Sequence, residues 1–531
     1  MSNLERKKRV LVIGGGIAGL AFGVQLLTHA SDFYEVIIFE KANDLEDVTK
    51  SGFALALSPN SSNILKDLGI DLVGEGIGMP LNNIALHHSS HPDAFVAHCV
   101  GIFPNPHTIL WVERGPLQNI LLERFISLGG HIQFYSTLVE IETHVDGTLI
   151  AKMASGATCN GSYIVGADGI NSRVRKHLYT VSPPKKAPSR CPFMEIAPFS
   201  FFNSTVSFFR KISGYPQREA WEVSQTPWTA LYGLTEPLPD HLLTDGEKGE
   251  GGVGYMHWYL RDVPGAYSTY SLQGGRVFWV CYQQEPRNKA ESFTKLEAEA
   301  TMNTYFNVPY CTALPIGPGE DPGEYENYRV GKSTYFHEIT SRSERIKKVR
   351  LSHTAFREIS NKEKTIVLIG DAAHAMNTFN GQGAGMGIEE GLVLCIGLLR
   401  SAWANKEFRR VVDQEMLGIR YFETQRLARS EKITNFGWWT AVGIMGNLWW
   451  LRKLRDMILA RVLSGPTPAE LERQRNERGG FVADKPEEHC FGKRREKSDK
   501  PPGNWLFDHQ IYLESEADFW ESVRAATENL K

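Results

Sequence analysis

The sequence predicts an α/β protein: a parallel sheet covered by helices, interrupted by a mostly antiparallel sheet and followed by a helical region. Three observations predict it. The apolar run Val10–Ile13 leads into a glycine cluster, a stretch with helical apolar spacing and a second apolar run, Val36–Phe39. That order is strand, turn, helix, strand, and its right-handed crossover requires a parallel sheet. Buried-strand character returns at Tyr163–Val165 and again at Lys364–Ile369, so one domain is split in sequence. Between those runs, residues 186–344 are rich in Phe, Trp, Tyr and turn signals and poor in helical periodicity.

Each element follows from local chemistry. Ser58-Pro59-Asn60 starts a helix whose buried face is Ile64, Leu65 and Leu68. Trp111-Val112 leads into Arg114, and Pro116 opens a helical run through Leu117, Ile120, Leu121 and Phe125 that Gly129-Gly130 ends. Residues 131–158 alternate around Asp146-Gly147 and Ser155-Gly156, which predicts hairpin strands. Gly246, Gly249, Gly251, Gly252 and Gly254 read as a mobile loop interrupting the second domain. A long helical stretch runs to Leu463, and the polar remainder, with Lys493-Arg-Arg-Glu-Lys497, is the least foldable part. The division expected is 1–185 with 345–405 for the parallel-sheet domain, 186–344 for the inserted domain, 406–463 for C-terminal helices and 464–531 for a polar tail.

Composition excludes several functions. The 531 residues carry a net charge of -3, which gives no basic field for nucleic acid. Seven scattered cysteines show no metal-ligand spacing and read as reduced thiols, and Met1–Arg9 lacks the apolar segment of a secretory signal. A cytoplasmic protein without a bound metal is expected.

The first glycine turn carries chemistry. Gly14 permits the tight turn, Gly16 lets the backbone approach a pyrophosphate, and Gly19 lets helix and strand pack closely, at a helix N-terminus that favours anions. Glu40 ends the second strand, where a carboxylate hydrogen-bonds ribose hydroxyls and repels a 2'-phosphate, so the ligand is FAD or NAD rather than NADP. The segment from Leu368 to Gly387 separates these. A buried strand ends at Gly370 with Asp371, and a second turn, Gly381-Gln382-Gly383, opens a helix carrying Met386, Ile388 and Leu392. Asp371 can bond the ribityl chain, and that helix N-terminus can face the flavin edge that becomes negative on reduction. Two such turns imply FAD. The candidate cofactor site further takes in Lys41, Gly52, Ala54 and Ala384.

Together Gly14–Gly19, Arg114 in Glu-Arg-Gly-Pro-Leu, Gly166-Ala-Asp-Gly169 and Gly370-Asp-Ala-Ala-His374 resemble the motifs of class A flavin monooxygenases. The resemblance implies a Rossmann-type FAD domain, Arg114 holding FAD from a helix start, Asp168 near the FAD ribose and nicotinamide route, and NADPH or NADH as transient electron donor. It also implies transfer of one O2 oxygen from a flavin C4a-hydroperoxide to an electron-rich carbon. Thr229–Thr235, Gly275–Val280 and Glu113-Arg114 are similar to fungal monooxygenases of meroterpenoid and indole-diterpene pathways, which epoxidise prenyl chains. There a tyrosine at the Tyr232 position is an active-site residue. The expected substrate is a hydrophobic prenylated or aromatic secondary metabolite. A salicylate-hydroxylase-like ring hydroxylase and a flavin-dependent oxidase or dehydrogenase remain alternatives. Thr378, Gly385 and Glu390 depart from the residues usual in the family.

Other residues read differently. His374, expected one turn into a helix, reads as packed rather than catalytic, and Arg210 as a solvated strand end. Residues 436–451 are apolar but too short to span a bilayer. Their two tryptophan pairs, followed by Arg452, Lys453, Arg455 and Arg461, predict contact with a membrane surface through 436–461.

Overall fold

The two apolar runs flanking the first glycine turn are neighbouring parallel strands. The structure, a computed structural model, describes residues 7–44, 47, 52–88, 91–100, 109–181, 223, 225–243, 254–285, 293–310, 334–407, 414–446 and 449–463. Arg210, Gly246, Gly249, Gly251, Gly252 and the tail beyond 463 lie outside them.

Strand β1 (Lys8–Ile13) pairs in parallel with β2 (Tyr34–Phe39) across helix α1 (Ile17–Ala30). On its other side β1 pairs with β11 (Tyr163–Gly166), which pairs with β17 (Ile366–Leu368), and β7 (His131–Gln133) closes the far edge. The order is β17-β11-β1-β2-β7, five strands in all. Residues 131–133 thus extend the parallel sheet rather than open a hairpin. The antiparallel ladder expected after them is formed by β8 (Leu138–Thr143), β9 (Leu149–Met153) and β10 (Thr158–Gly161). Val10, Leu11 and Val12 are fully buried, as a strand with helices on both faces requires.

The second sheet draws strands from both sides of the chain. Its nine are β3 (Ala54–Leu57), β4 (Gly78–His88), β5 (His91–Val100), β6 (Ile109–Glu113), β12 (Gln225–Thr235), β13 (Gly254–Leu260), β14 (Ala266–Ser271), β15 (Val277–Gln284) and β16 (Ser343–Ser352). They run β16-β12-β15-β14-β13-β4-β6-β3, with β5 on β4. All pairs are antiparallel except β4 with β13. Period-2 alternation sorts the side chains: Leu231, Tyr259, Tyr267, Trp279 and Cys281 fill the core on one face. Trp228, Trp258, Tyr270, Phe278 and Tyr282 lie on the other, toward the parallel-sheet domain.

Helices α2 (Pro59–Asp67), α3 (Arg114–Ser127) and α4 (Arg173–Val181) belong to the first half of the chain, and α5 (Lys295–Asn303) and α6 (His337–Thr340) to the inserted region. Then come α7 (Gly383–Glu407), α8 (Gln414–Met445) and α9 (Trp449–Leu463). Gln25 on α1 donates to the Ile388 carbonyl at 3.1 Å and Tyr34 to that of Leu398 at 2.9 Å, so α7 is fastened along the nucleotide domain.

Candidate active site

The first glycine turn is held in a shape only its residues allow. Gly14 has φ +109°, and a Cβ there would strike the Ala167 carbonyl; a Cβ on Gly19 would strike that of Gly14. Glu40 clamps the turn: one carboxylate oxygen accepts from the Gly15 N–H at 2.6 Å and the other from Ala42 at 2.9 Å. Each oxygen keeps a lone pair for a ligand hydroxyl. Gln118 of α3 donates to the Gly15 carbonyl at 2.6 Å from behind.

Helix α1 has no side-chain cap, and its first internal bond is from Leu20 to Gly16, which leaves the first-turn N–H groups to a ligand. Space is open there, since a Cβ on Gly16 would find only an Arg114 nitrogen, 4.0 Å away. Arg114 opens α3, its N–H bound to the Phe53 carbonyl at 2.8 Å. Gly52 passes beneath it, so close that a Cβ would lie 2.5 Å from Arg114 Cδ. Ala54 begins β3 immediately beyond, opposite Glu113, and Lys41 is exposed beside Glu40.

The second turn repeats the pattern. Gly381 is left-handed, the first internal bond of α7 runs from Met386 to Gln382 at 2.8 Å, and a Cβ on Gly383 would meet nothing within 4 Å. Ala384 is partly buried against the nucleotide-domain core. Ala18 of α1 touches both Gly370 and Gly387, since a Cβ on either would lie 2.9 Å from its methyl. The starts of α1 and α7 therefore meet beside Gly370, the residue before Asp371. The Asp371 carboxylate is solvent-accessible, yet burial by the surrounding walls raises its pKa, against the lowering effects of His374 and Arg114. Arg114 and Asp371 thus face the same space. The open Cβ positions, orphan N–H groups and facing charges fit a dinucleotide with a polar linker and a flavin edge.

Asp168 is engaged locally. It accepts from the Ser172 hydroxyl at 2.5 Å and the Arg173 N–H at 2.6 Å, shaping the turn that starts α4. Buried Arg175 donates to the Ala372 carbonyl at 2.9 Å and stacks on Phe356 at 4.5 Å, tying that turn to the Asp371 segment. A buried charge network supports it from below. Glu390 accepts from the Gly370 N–H at 2.7 Å and from the Ser430 hydroxyl at 3.2 Å, and it pairs with His374 Nε2 at 2.6 Å. Glu389 pairs with Arg426 at 2.5 Å and Arg429 at 2.6 Å, which overcome burial and pull its carboxyl down to about 2. His374 lies in a two-residue strand with Ala375, not in a helix.

Above this cradle stands the inward face of the second sheet. Tyr232 stacks with Phe53 at 5.8 Å and Phe278 at 5.9 Å. Its hydroxyl donates to Thr378 Oγ1 at 3.4 Å, in the turn leading to Gly381. Trp111 packs on Tyr270 at 4.2 Å, Trp258 on Tyr282 at 5.7 Å and Tyr282 on Phe379 at 4.3 Å. The structure therefore gathers the two glycine turns, Glu40, Arg114, Asp371 and Tyr232 around the starts of α1 and α7. Gln118, Arg175, Tyr270 and Tyr282 join them, the last three without sequence warning. Gln118, four residues after Arg114 on one helix face, carried the one available signal.

Comparison with known proteins agrees. A family described as FAD binding domain matches residues 7–198. The FAD-dependent monooxygenase nvfK of Aspergillus novofumigatus is 23% identical over 445 residues, 81% of this chain and 78% of its own. The FAD-dependent monooxygenase dpmaE of Metarhizium anisopliae is 24% identical over 81% and 78%. Klebsiella pneumoniae HpxO complexed with FAD and uric acid superposes with TM-score 0.58 at 17% identity, over 90% of this chain and 97% of that one, a likeness of fold. With this fold, these motifs and these relatives, residues 7–198 match an FAD-binding domain and the chain as a whole is similar to FAD-dependent monooxygenases.

Proposed function

We propose that the chain inserts one atom of O2 into a hydrophobic prenylated or aromatic secondary metabolite, by epoxidation or hydroxylation, with the second atom leaving as water and two electrons coming from NAD(P)H. The observation that carries this is the aromatic sheet face, whose Tyr232 hydroxyl reaches Thr378 in the turn that opens α7. FAD, when bound and reduced, supplies the activation of O2. The protein binds and orients. The first-turn amides of α1 and Arg114 hold the pyrophosphate, Glu40 the ribose and Asp371 the ribityl chain, while the N–H groups at Gly383 and Ala384 face the flavin edge. Asp168 shapes its turn near the ribose. Phe53, Trp111, Trp258 and Phe278 exclude water from the reacting carbon.

The test is incubation with NADPH, 18O2 and a panel of prenylated phenols and aromatic acids, followed by mass spectrometry. A product bearing one 18O supports the reading. Peroxide release with unlabelled products from every substrate would place the chain among oxidases.

Charged hydrogen bonds to a cofactor contribute about 1.5–3 kcal/mol each. Asp371→Ala and Arg114→Ala are therefore expected to weaken FAD affinity about ten- to a hundredfold, read from fluorescence titration of apoprotein. Titration curves matching the wild type for both would show that the cofactor lies elsewhere.

A membrane-surface contact is also part of this reading, in reduced form. Among the described residues no helix is long and apolar enough to cross a membrane. Trp438 is buried against Trp228 at 4.6 Å, so the first tryptophan pair packs onto the substrate sheet. Trp449 and Met457 are 71% and 63% exposed, and Trp450 and Leu454 lie on the same helix surface. Two of the basic residues expected at headgroups turn inward: Arg452 donates to the Gly446 carbonyl and Arg455 is buried, donating to the Ile444 carbonyl. Lys453 stays exposed, and the Arg461 side chain lies outside the described residues. Binding is thus chiefly apolar. Trp449→Ser/Trp450→Ser is expected to lose most co-sedimentation with vesicles, and salt to change it little. Equal pelleting of variant and wild type would remove the contact from the reading.

A further inference from the structure

Strand β16 is the edge of the second sheet, and its inward face changes character along its length. Its register with β12 sets Val349 opposite Ala230, Lys347 opposite Tyr232 and Arg345 opposite Leu234. Directly opposed residues share a face, with Cβ atoms about 5 Å apart. Val349, Lys347 and Arg345 therefore point the way Tyr232 points, while Lys348 between them turns to Glu285 and Thr301 on the other face. Leu351 and Val349 belong to the apolar cluster of the inward face. Lys347 and Arg345 end it with charge.

The charges at this end do not cancel. Arg276 pairs with Glu113 at 3.0 Å and with Glu344 at 2.5 Å. Arg345 lies 3.9 Å from the same Glu113 and 5.9 Å from the centre of the Phe53 ring, on which Tyr232 stacks. Lys347 is exposed and has no carboxylate within salt-bridge reach among the described residues. Three cations thus face two carboxylates, beside the tyrosine whose hydroxyl reaches Thr378 in the turn that opens α7. A point charge next to a planar guanidinium suits phosphate oxygens.

We propose that Lys347 and Arg345 are the docking site for the diphosphate of NADPH or NADH, directing the dihydronicotinamide toward the start of α7, where it gives a hydride to FAD and leaves as NAD(P)+. This rests on the reading that FAD lies at the starts of α1 and α7. The cations take the exposed end of the face and apolar side chains the other, so a ligand held by Lys347 stays at the mouth while the apolar substrate lies deeper. The diphosphate is common to both coenzymes, and the pair serves both alike.

The test uses FAD-loaded wild type and Lys347→Ala, Lys347→Glu and Lys347→Arg. Binding is read by calorimetric titration with tetrahydro-NADP, which cannot give a hydride, and by anaerobic flavin reduction at rising NADPH or NADH. Lys347→Ala is expected to weaken all three ligands about tenfold, Lys347→Glu to weaken them further, and Lys347→Arg to keep wild-type values. N-benzyl-dihydronicotinamide, a hydride donor without phosphate, is expected to reduce the flavin equally in every protein, with flavin content unchanged. Unaltered coenzyme binding in Lys347→Ala overturns this inference, and aggregation of that variant would then make the lysine a guard of the edge strand. A parallel loss with the benzyl compound also overturns it, as does weakened substrate binding with coenzyme binding intact, which would assign the lysine to a substrate carboxylate. Wild type whose flavin is reduced by none of the three donors overturns the monooxygenase reading itself.

Discussion

Tyr232→Phe is expected to lower product formation about ten- to a thousandfold with flavin content unchanged, the range for losing one positioned donor at a reacting centre. The substitution removes a single oxygen and keeps the ring between Phe53 and Phe278. Burial pushes the phenol up to about 12, against the lowering effect of Thr378, so it stays protonated at neutral pH. Tyr232 therefore acts as a donor, not a base. Its contribution should be level from pH 6 to 9, and the variant's pH profile should lie parallel to the wild type's. A Phe variant turning over at the wild-type rate would make Tyr232 a packing residue.

Glu390→Ala is expected to be the most destabilising single change at the site. The carboxylate is 1% exposed and serves the Gly370 N–H, His374 and Ser430 together. Breaking such a buried pair leaves its partners unpaired and costs about 3–5 kcal/mol. The melting temperature should fall by about 5 °C or more, with FAD affinity lost in parallel because the Asp371 turn hangs from the same carboxylate. Glu390→Gln, which keeps the shape, should lose less. The pH dependence follows from two opposite shifts. Burial works against the His374 cation, but Glu390 outweighs it and holds the imidazole above its ordinary value. Burial also works against the Glu390 carboxylate, and His374 again prevails, holding it below the ordinary range. Stability from the histidine is fully present below its unfolded pKa of about 6.5 and is lost as pH rises through the raised value. That from the glutamate is present above about 4.3 and lost as pH falls through the depressed one. Thermal melts of wild type should therefore peak between those limits, and Glu390→Ala should flatten the curve. A variant melting with the wild type at every pH would contradict the network's role.

The features legible in the sequence are those that local chemistry dictates. Gly14 and Gly19 must be glycine because the Ala167 and Gly14 carbonyls occupy their Cβ positions, and the spacing to Glu40 announces the same unit. Asp371 was legible because a strand end and a glycine turn bracket it. Strand register is not local. Tyr282 on β15 and Tyr232 on β12 both reach Thr378 only because these strands pair in one alignment, and a one-residue slip of either would turn its tyrosine away. Nothing in the composition of 54–113 tells that β3, β4 and β6 join the second sheet. Trp438-Trp439 and Trp449-Trp450 are the same dipeptide, yet Trp228 and His353 cover Trp438 while Trp449 faces outward. Tertiary packing decides that difference.

The discontinuity of the parallel sheet has a cost during synthesis. β11 pairs with β1 on one side, but its other edge is completed by β17, and about 200 residues separate Gly166 from Ile366. At about 5–20 residues per second, a ribosome needs roughly 10–40 s to deliver that strand. Throughout that interval Tyr163–Val165, buried in the finished protein, form a bare apolar edge open to pairing with another nascent chain. Helix α7, which covers α1, arrives later still. Yield of folded enzyme should therefore depend on translation speed and on chaperones that shield this edge, and slow growth at low temperature should favour it over aggregation.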